Sequence, residues 1–199
     1  MHDRRSRILR SAARAFAASG FKGAGLRDIA ADAEVSLTLV DHHFGSKEQL
    51  LEAVVANHHE TCKQRMAGFR ATLLVDGHAA SLAQLASAWT RHEFELLQGD
   101  GGTDYLRLLV KLMNDEHMGL GLREMLDCSE PVVLHGLTLA APNATPTERG
   151  RAFRLARAAL HAALLDCSMA RESGAADDIA VEVDVCANFV HAGLVASLR

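Results

Sequence analysis

A chain of 199 residues is long enough to bury a core without help from metals or disulfides. Its apolar fraction of 49% is carried by Ala and Leu, with one Trp, one Tyr and three Pro, a bias towards helix and against sheet. The net charge of −4 hides an asymmetry: Arg4, Arg5, Arg7, Arg10, Arg14, Lys22 and Arg27 face only Asp3 in the first 27 residues, and the remainder is acidic. A basic tip on an acidic body suits nucleic acid, although a solvated basic helix face gives the same pattern. No apolar run approaches the roughly 20 residues that cross a bilayer, so no membrane partner is expected. Cys62, Cys128, Cys167 and Cys186 lie far apart without a CxxC, and the arginine-rich start is no signal peptide. A reduced, cytoplasmic protein with free, mostly buried thiols is the expectation.

Ile8, Leu9, Ala12, Ala13 and Phe16 recur at helical spacing and predict a first helix from Arg4 that Gly20 ends. Leu26, Ile29, Ala30 and Ala33 predict a short second helix whose best N-cap is Gly25. Glu34-Val35-Ser36 then breaks the pattern, and Ser36 caps a third short helix from Leu37 to His43, with Val40 and Phe44 turned inward. A link this tight is that of a helix-turn-helix. Ser46 caps a long helix in which Leu50, Leu51, Val54, Val55, His58, Cys62, Met66 and Phe69 share a face. Beyond Gly77, helical periodicity returns over 82–97, 105–117, 120–139, 147–172 and 179–198, with Pro131 predicting a kink or break in the third of these.

The spacing of Ile8-Leu9, Ala12-Ala13, Phe16, Gly20-Phe21, Ile29-Ala30, Ala33, Val35-Ser36, the run His43 to Glu48 and Leu50 resembles the DNA-binding region of the tetracycline-repressor (TetR) family. The resemblance covers about a quarter of the chain. It implies an all-α protein with a helix-turn-helix domain over 1–48 and a helical effector-binding and dimerisation domain over 49–199. Three positions depart from the family pattern. Gly25 replaces the Ser or Thr that usually opens helix two, Glu34 the customary turn glycine, and Asp41 an aromatic that tends to touch a phosphate.

In this reading helix three enters the major groove, with Leu37, Thr38, Leu39, Asp41 and His42 as candidates for base contacts and Ser36 as its cap. Thr38 hydrogen-bonds bases, Leu37 or Leu39 packs on a thymine methyl, and His42 and His43 offer N–H donors. Asp41 either accepts from a cytosine amino group or pairs with a nearby arginine such as Arg27, the pair being slightly preferred. Lys47, in the first turn of the fourth helix, reads as a phosphate clamp.

The resemblance also implies that the last two helices pair with those of a second subunit, and Phe153, Ala156, Leu160, Leu164, Val183, Val190 and Leu194 are the expected interface. These stripes are equally what an intrachain core would use. For an effector pocket, large apolar surface with a few polar handles is offered by Trp89, His92, Glu93, Tyr105, Leu109, Met113, His117, Met125, His135 and His161. His58 and Cys62 have i, i+4 spacing, but no further ligands follow at a metal-site spacing, so neither metal nor cofactor is expected. Nucleophile elbow, phosphate loop, HExxH and dinucleotide fingerprint are missing, which argues against an enzyme. The expected function is a dimeric regulator, by family default a repressor, on a palindromic operator and released by a largely apolar small molecule. The alternative is a constitutive DNA-binding protein whose body only dimerises or binds protein.

Overall fold

The computed structural model describes residues 2–75, 77–98, 101–113, 129–172 and 179–198. Helices dominate: α1 (His2–Gly23), α2 (Leu26–Asp32), α3 (Leu37–Phe44), α4 (Lys47–Ala71), α5 (Leu82–Phe94), α6 (Gly102–Met113), α7 (Glu130–Ala140), α8 (Pro146–Glu172) and α9 (Ile179–Ser197). A two-residue antiparallel ladder, β1 (Leu74–Val75) on β2 (His78–Ala79), turns the chain between α4 and α5, and a 3-10 turn, Glu95–Gln98, follows α5. The fold is all-α, as the composition implied. None of the described helices is long and apolar enough to cross a membrane.

The chain forms two compact units, residues 1–61 with 100–127, and residues 62–99 with 128–199. By packing, the division therefore falls elsewhere than at residues 48 and 49. The reason is that Tyr105, Leu108, Leu109 and Leu112 of α6 complete a core begun by Ile8, Leu9, Ala12 and Phe16 of α1, Ile29 of α2, Val40 and Phe44 of α3, and Leu50 and Val54 of α4. Lys111 binds α6 to the end of α1 by donating to the carbonyls of Ala17 and Ala18. A cation there meets the negative end of the helix dipole. Immediately beyond, Gly20 (φ 70°) breaks the helical path, and one further turn runs to Gly23.

In the second unit α5 opens with a capping box, Ser81 and Gln84 exchanging side-chain and backbone hydrogen bonds. Thr145 and Glu148 do the same at the start of α8. Pro131 stands in the first turn of α7, where the missing N–H costs nothing, so it marks a start and not a kink. Gly136 is the closest approach in this core, because a Cβ there would come within 2.7 Å of Leu85 and 2.9 Å of Leu73.

The expectation of four free thiols is corrected at Cys62, and Cys128 lies outside the described residues. Cys62 stands in a disulfide, whereas Cys167 and Cys186, both half-buried, do not. A search for CxxC spacing sees only neighbours in sequence and misses a bridge closed by folding.

Candidate nucleic-acid interface

The turn between α2 and α3 is built by backbone geometry. Val35 N–H donates to the Ala30 carbonyl (2.9 Å) and Glu34 N–H to that of Ala31 (3.0 Å), the pair of bonds that closes a helix when the residue between adopts a left-handed conformation. Glu34 adopts it at φ 53°, where glycine would be unstrained. Its carboxylate reaches Arg7 of α1 at 3.1 Å, an exposed pair worth little. Glu34→Gly should therefore be more stable than Glu34→Ala by about 1 kcal/mol, since both lose the ion pair and only glycine sheds the strain. Urea denaturation of the two variants checks this, and equal midpoints would refute it.

Ser36 caps α3 by accepting from Leu39 N–H (3.2 Å), and Ser46 caps α4 by accepting from Gln49 N–H (3.2 Å). Gly25 caps α2 with no side-chain hydrogen bond, as its lack of a hydroxyl requires. With both ends of α3 fixed, its two faces separate cleanly. Val40 and Phe44 are buried one turn apart, while Thr38, Asp41 and His42 are exposed on the opposite side, at the spacing of neighbours on a helix surface. Leu37 packs against the core and Leu39 and His43 are half-buried, so these three offer less to a groove than the exposed three. His43 lies between His42 (5.7 Å, edge-on) and Phe44 (6.0 Å).

The preferred pairing of Asp41 with Arg27 does not form: both side chains are exposed, and among the described residues no ion pair joins them. Asp41 is left facing outward with its accepting oxygens.

The basic front end divides by role. Arg7 pairs with Glu34 and Arg14 with Asp32 (2.6 Å), fastening α1 to the turn and to α2. The Ser11 hydroxyl and then Arg14 hold the Asp32 carboxyl below its usual range. Arg5 lies 5.5 Å above the Phe44 ring. Lys47 donates to the Lys22 carbonyl (3.3 Å) with its ammonium 4.9 Å from the Phe21 ring centroid, so it joins the end of α1 to the first turn of α4. An ammonium has three N–H groups, and this bond uses one. These long-range ties carry no local sequence signal.

The effector candidates are placed in different surroundings. Tyr105 belongs to the first unit, stacks on His58 and is buried, which pushes its hydroxyl pKa up. With Arg10, Asn57 and His58 it lines a cavity of about 300 Å³. With His58 against Tyr105 and Cys62 in a disulfide, the i, i+4 pair does not stand as a metal pair. Leu109 is core of the same unit.

In the second unit Trp89 is fully buried, its indole N–H donates to Glu93 (3.0 Å), and it stacks on Phe153 at 5.4 Å. Arg157 lies 5.1 Å from the same Phe153 ring. Burial lowers the pKa of Arg157 and Glu93 opposes that shift. Burial and then Arg157 push His161 down to about 4, so its imidazole is neutral at physiological pH. His92 stacks on Phe69 (5.7 Å) and lines an open groove of about 630 Å³ between the C-terminal half of α4 and α5, together with Gly68, Thr72, Ala88, Arg91 and Glu95. His135 is exposed on α7 and lines neither cavity. His117, Met125 and the side chain of Met113 lie outside the described residues.

Most of the residues expected at the interface are placed inward. Phe153, Ala156, Leu160, Leu164, Val190 and Leu194 are buried by their own chain, and Val183 is half-buried. What α8 and α9 expose instead is Leu155, Met169, Val181, Val185 and Phe189, each more than half exposed.

Comparison with known proteins agrees with this geometry. Residues 8–54 match the model of the bacterial regulatory proteins, tetR family. A TetR-like transcriptional regulator from Rhodococcus sp. RHA1 superposes with a TM-score of 0.65 at 18% identity, over 98% of this chain and 95% of that one. The multidrug binding protein EbrR, complexed with malachite green, gives 0.62 at 19% identity over 98% of each chain. The regulator FadR from Bacillus subtilis, complexed with stearoyl-CoA, gives 0.61 at 17% identity, over 98% of this chain and 99% of that one. No curated protein matches in sequence. Residues 8–54 thus carry the tetR-family DNA-binding pattern, in a chain whose fold resembles that of such regulators along almost its whole length.

Proposed function

We propose that the protein acts as a homodimeric repressor in the cytoplasm, holds a palindromic operator through α3 of each subunit, and lets go when a largely apolar small molecule binds its body. The observation that carries the DNA reading is the face of α3: Thr38, Asp41 and His42 point outward from a helix whose opposite face is locked in the core. One short reading helix makes too few contacts for tight specific binding, and the exposed apolar face of α8 and α9 offers the means of pairing two. The effector reading draws on α4, which starts in the reader's unit at Lys47 and ends in the body's unit along the groove of about 630 Å³. That volume is of small-molecule size. The structural neighbours that hold malachite green and stearoyl-CoA favour a large ligand with an extensive apolar part here too.

Selecting bound sequences from random DNA tests this. Enriched sites should carry two inverted half-sites whose centres lie one or more helical turns apart. Enrichment of a single, unrepeated half-site would overturn the dimeric reading. Within the interface, Lys47→Ala should weaken cognate and non-cognate DNA alike and reduce the salt slope by about one, as for one lost phosphate contact. Thr38→Ala should instead change preference at particular base pairs. A Lys47→Ala variant with an unchanged salt slope would leave Lys47 only its tie to the Lys22 carbonyl.

A further inference from the structure

Two cysteines of the body play no part in DNA reading or in the effector groove, and both stand on the same helix pair. Cys167 lies five residues before the end of α8 and Cys186 seven residues after the start of α9. At 1.5 Å per residue, that places them about 7 and 10 Å from the ends that face the short connection, close to the same level of the pair. Next to them in sequence stand Ser168 and Ala187, both small and buried, on two helices that pack against each other. Both cysteines are half-buried and neither is in a disulfide. Burial, then Cys167, then Glu182 push the Cys186 thiol up, so the two thiols are near enough to interact electrostatically.

We propose that Cys167 and Cys186 form a modification site, a dithiol that a low-molecular-weight disulfide converts to an intrachain disulfide across α8 and α9. One thiolate attacks the S–S bond of the small disulfide, forms a mixed disulfide and expels one small thiolate. The other cysteine then attacks the protein sulfur of that mixed disulfide, closes the Cys167–Cys186 bond and expels the second small thiolate. Two protein protons end on the two small thiols released, and the pair of electrons lost by the protein reduces the small disulfide. The closed loop ties the two helices whose outer faces carry Met169, Val185 and Phe189, so the chemistry acts beside the surface on which the dimer is proposed to form.

The test treats the full-length protein with glutathione disulfide, digests it without reduction and maps the peptides by mass spectrometry. A cross-linked peptide pair containing Cys167 and Cys186, about 2 Da lighter than the two thiol peptides together, is expected within one chain. Cys167→Ser and Cys186→Ser should each lack it and stop at a glutathione adduct, which separates sequential exchange from independent oxidation. Serine is close in size to cysteine, and circular dichroism of both variants checks that they fold. Stable adducts on both cysteines of the unsubstituted protein without a cross-link would overturn the proposal. So would a disulfide-linked dimer on a non-reducing gel that is lost in Cys186→Ser, because the sulfurs would then face the partner and not each other.

Discussion

Phe189→Asp should convert the protein to monomers at micromolar concentration and weaken operator binding roughly 100-fold or more, towards the non-specific level, while leaving the subunit folded. Phe189 is 67% exposed in the single chain, so a carboxylate there is solvated in the monomer and costs the fold little. On a paired face the same carboxylate would replace a large apolar contact and be stripped of water, and both changes oppose association. Leu160→Asp is the informative contrast. Leu160 is 1% exposed, and a charge in its place should unfold the second unit instead of separating two intact subunits. Sedimentation velocity and thermal melts distinguish the outcomes. If Phe189→Asp stays dimeric while Val185→Asp also does, the exposed face of α9 is not the pairing surface.

This contrast shows where sequence reasoning reached its limit. On α8, the buried Phe153, Ala156, Leu160 and Leu164 follow helical spacing, and on α9 the exposed Val181, Val185 and Phe189 follow it equally well. Periodicity identifies a stripe and not the direction it faces. An apolar helix with a face on its own core and another in solvent leaves the choice to tertiary packing. On α3 the caps and the buried pair were legible because their signals are local, although Leu37, Leu39 and His43, read as facing a groove, are half-buried. Ser36 and Ser46 cap the helices that follow them, Gly20 and Gly25 mark ends and starts, and Val40 and Phe44 can only turn inward together. Glu34 belongs to the same class: the absent turn glycine was visible in the sequence, and the turn imposes its left-handed φ on the residue that stands there instead.

Long-range chemistry was not legible. Lys111 reaches the carbonyls at the end of α1 across more than ninety residues, Arg14 finds Asp32, and Cys62 closes a disulfide, all without a motif. Trp89 was legible as a residue of consequence but not in its role. An indole bonded to Glu93 and stacked on Phe153 fills the core of the second unit, so Trp89→Ala should cost about 3–5 kcal/mol of stability and is a poor probe of ligand contact.

A substitution that fills the groove without disturbing the core is the better probe of effector action, and Gly68 supplies it. It lies on α4 inside the groove of about 630 Å³, and a Cβ there would meet nothing within 4 Å. Gly68→Leu should therefore fold at least as well as the unsubstituted protein, since leucine gains about 0.8–1 kcal/mol of helix propensity over glycine. The new side chain takes up space that an apolar ligand would use beside Phe69 and Ala88, below the polar handles Arg91, His92 and Glu95. Operator affinity should change by less than about twofold, because the outward residues of α3, proposed to read DNA, are in the other unit. Ligand binding should fall by roughly tenfold or more, and release from DNA should be lost with it. For a coupling of about 1–3 kcal/mol, ligand weakens operator binding about 5–150-fold in the unsubstituted protein, and operator must weaken ligand binding by the same factor. Titrating an inducer, found by thermal-shift screening of apolar metabolites and dyes, into free and operator-bound protein measures both factors. Equal affinity for the two forms would exclude release by differential binding. Full induction of Gly68→Leu by the same compound would move the effector site out of this groove, and α4 would then have to be biased from another cavity.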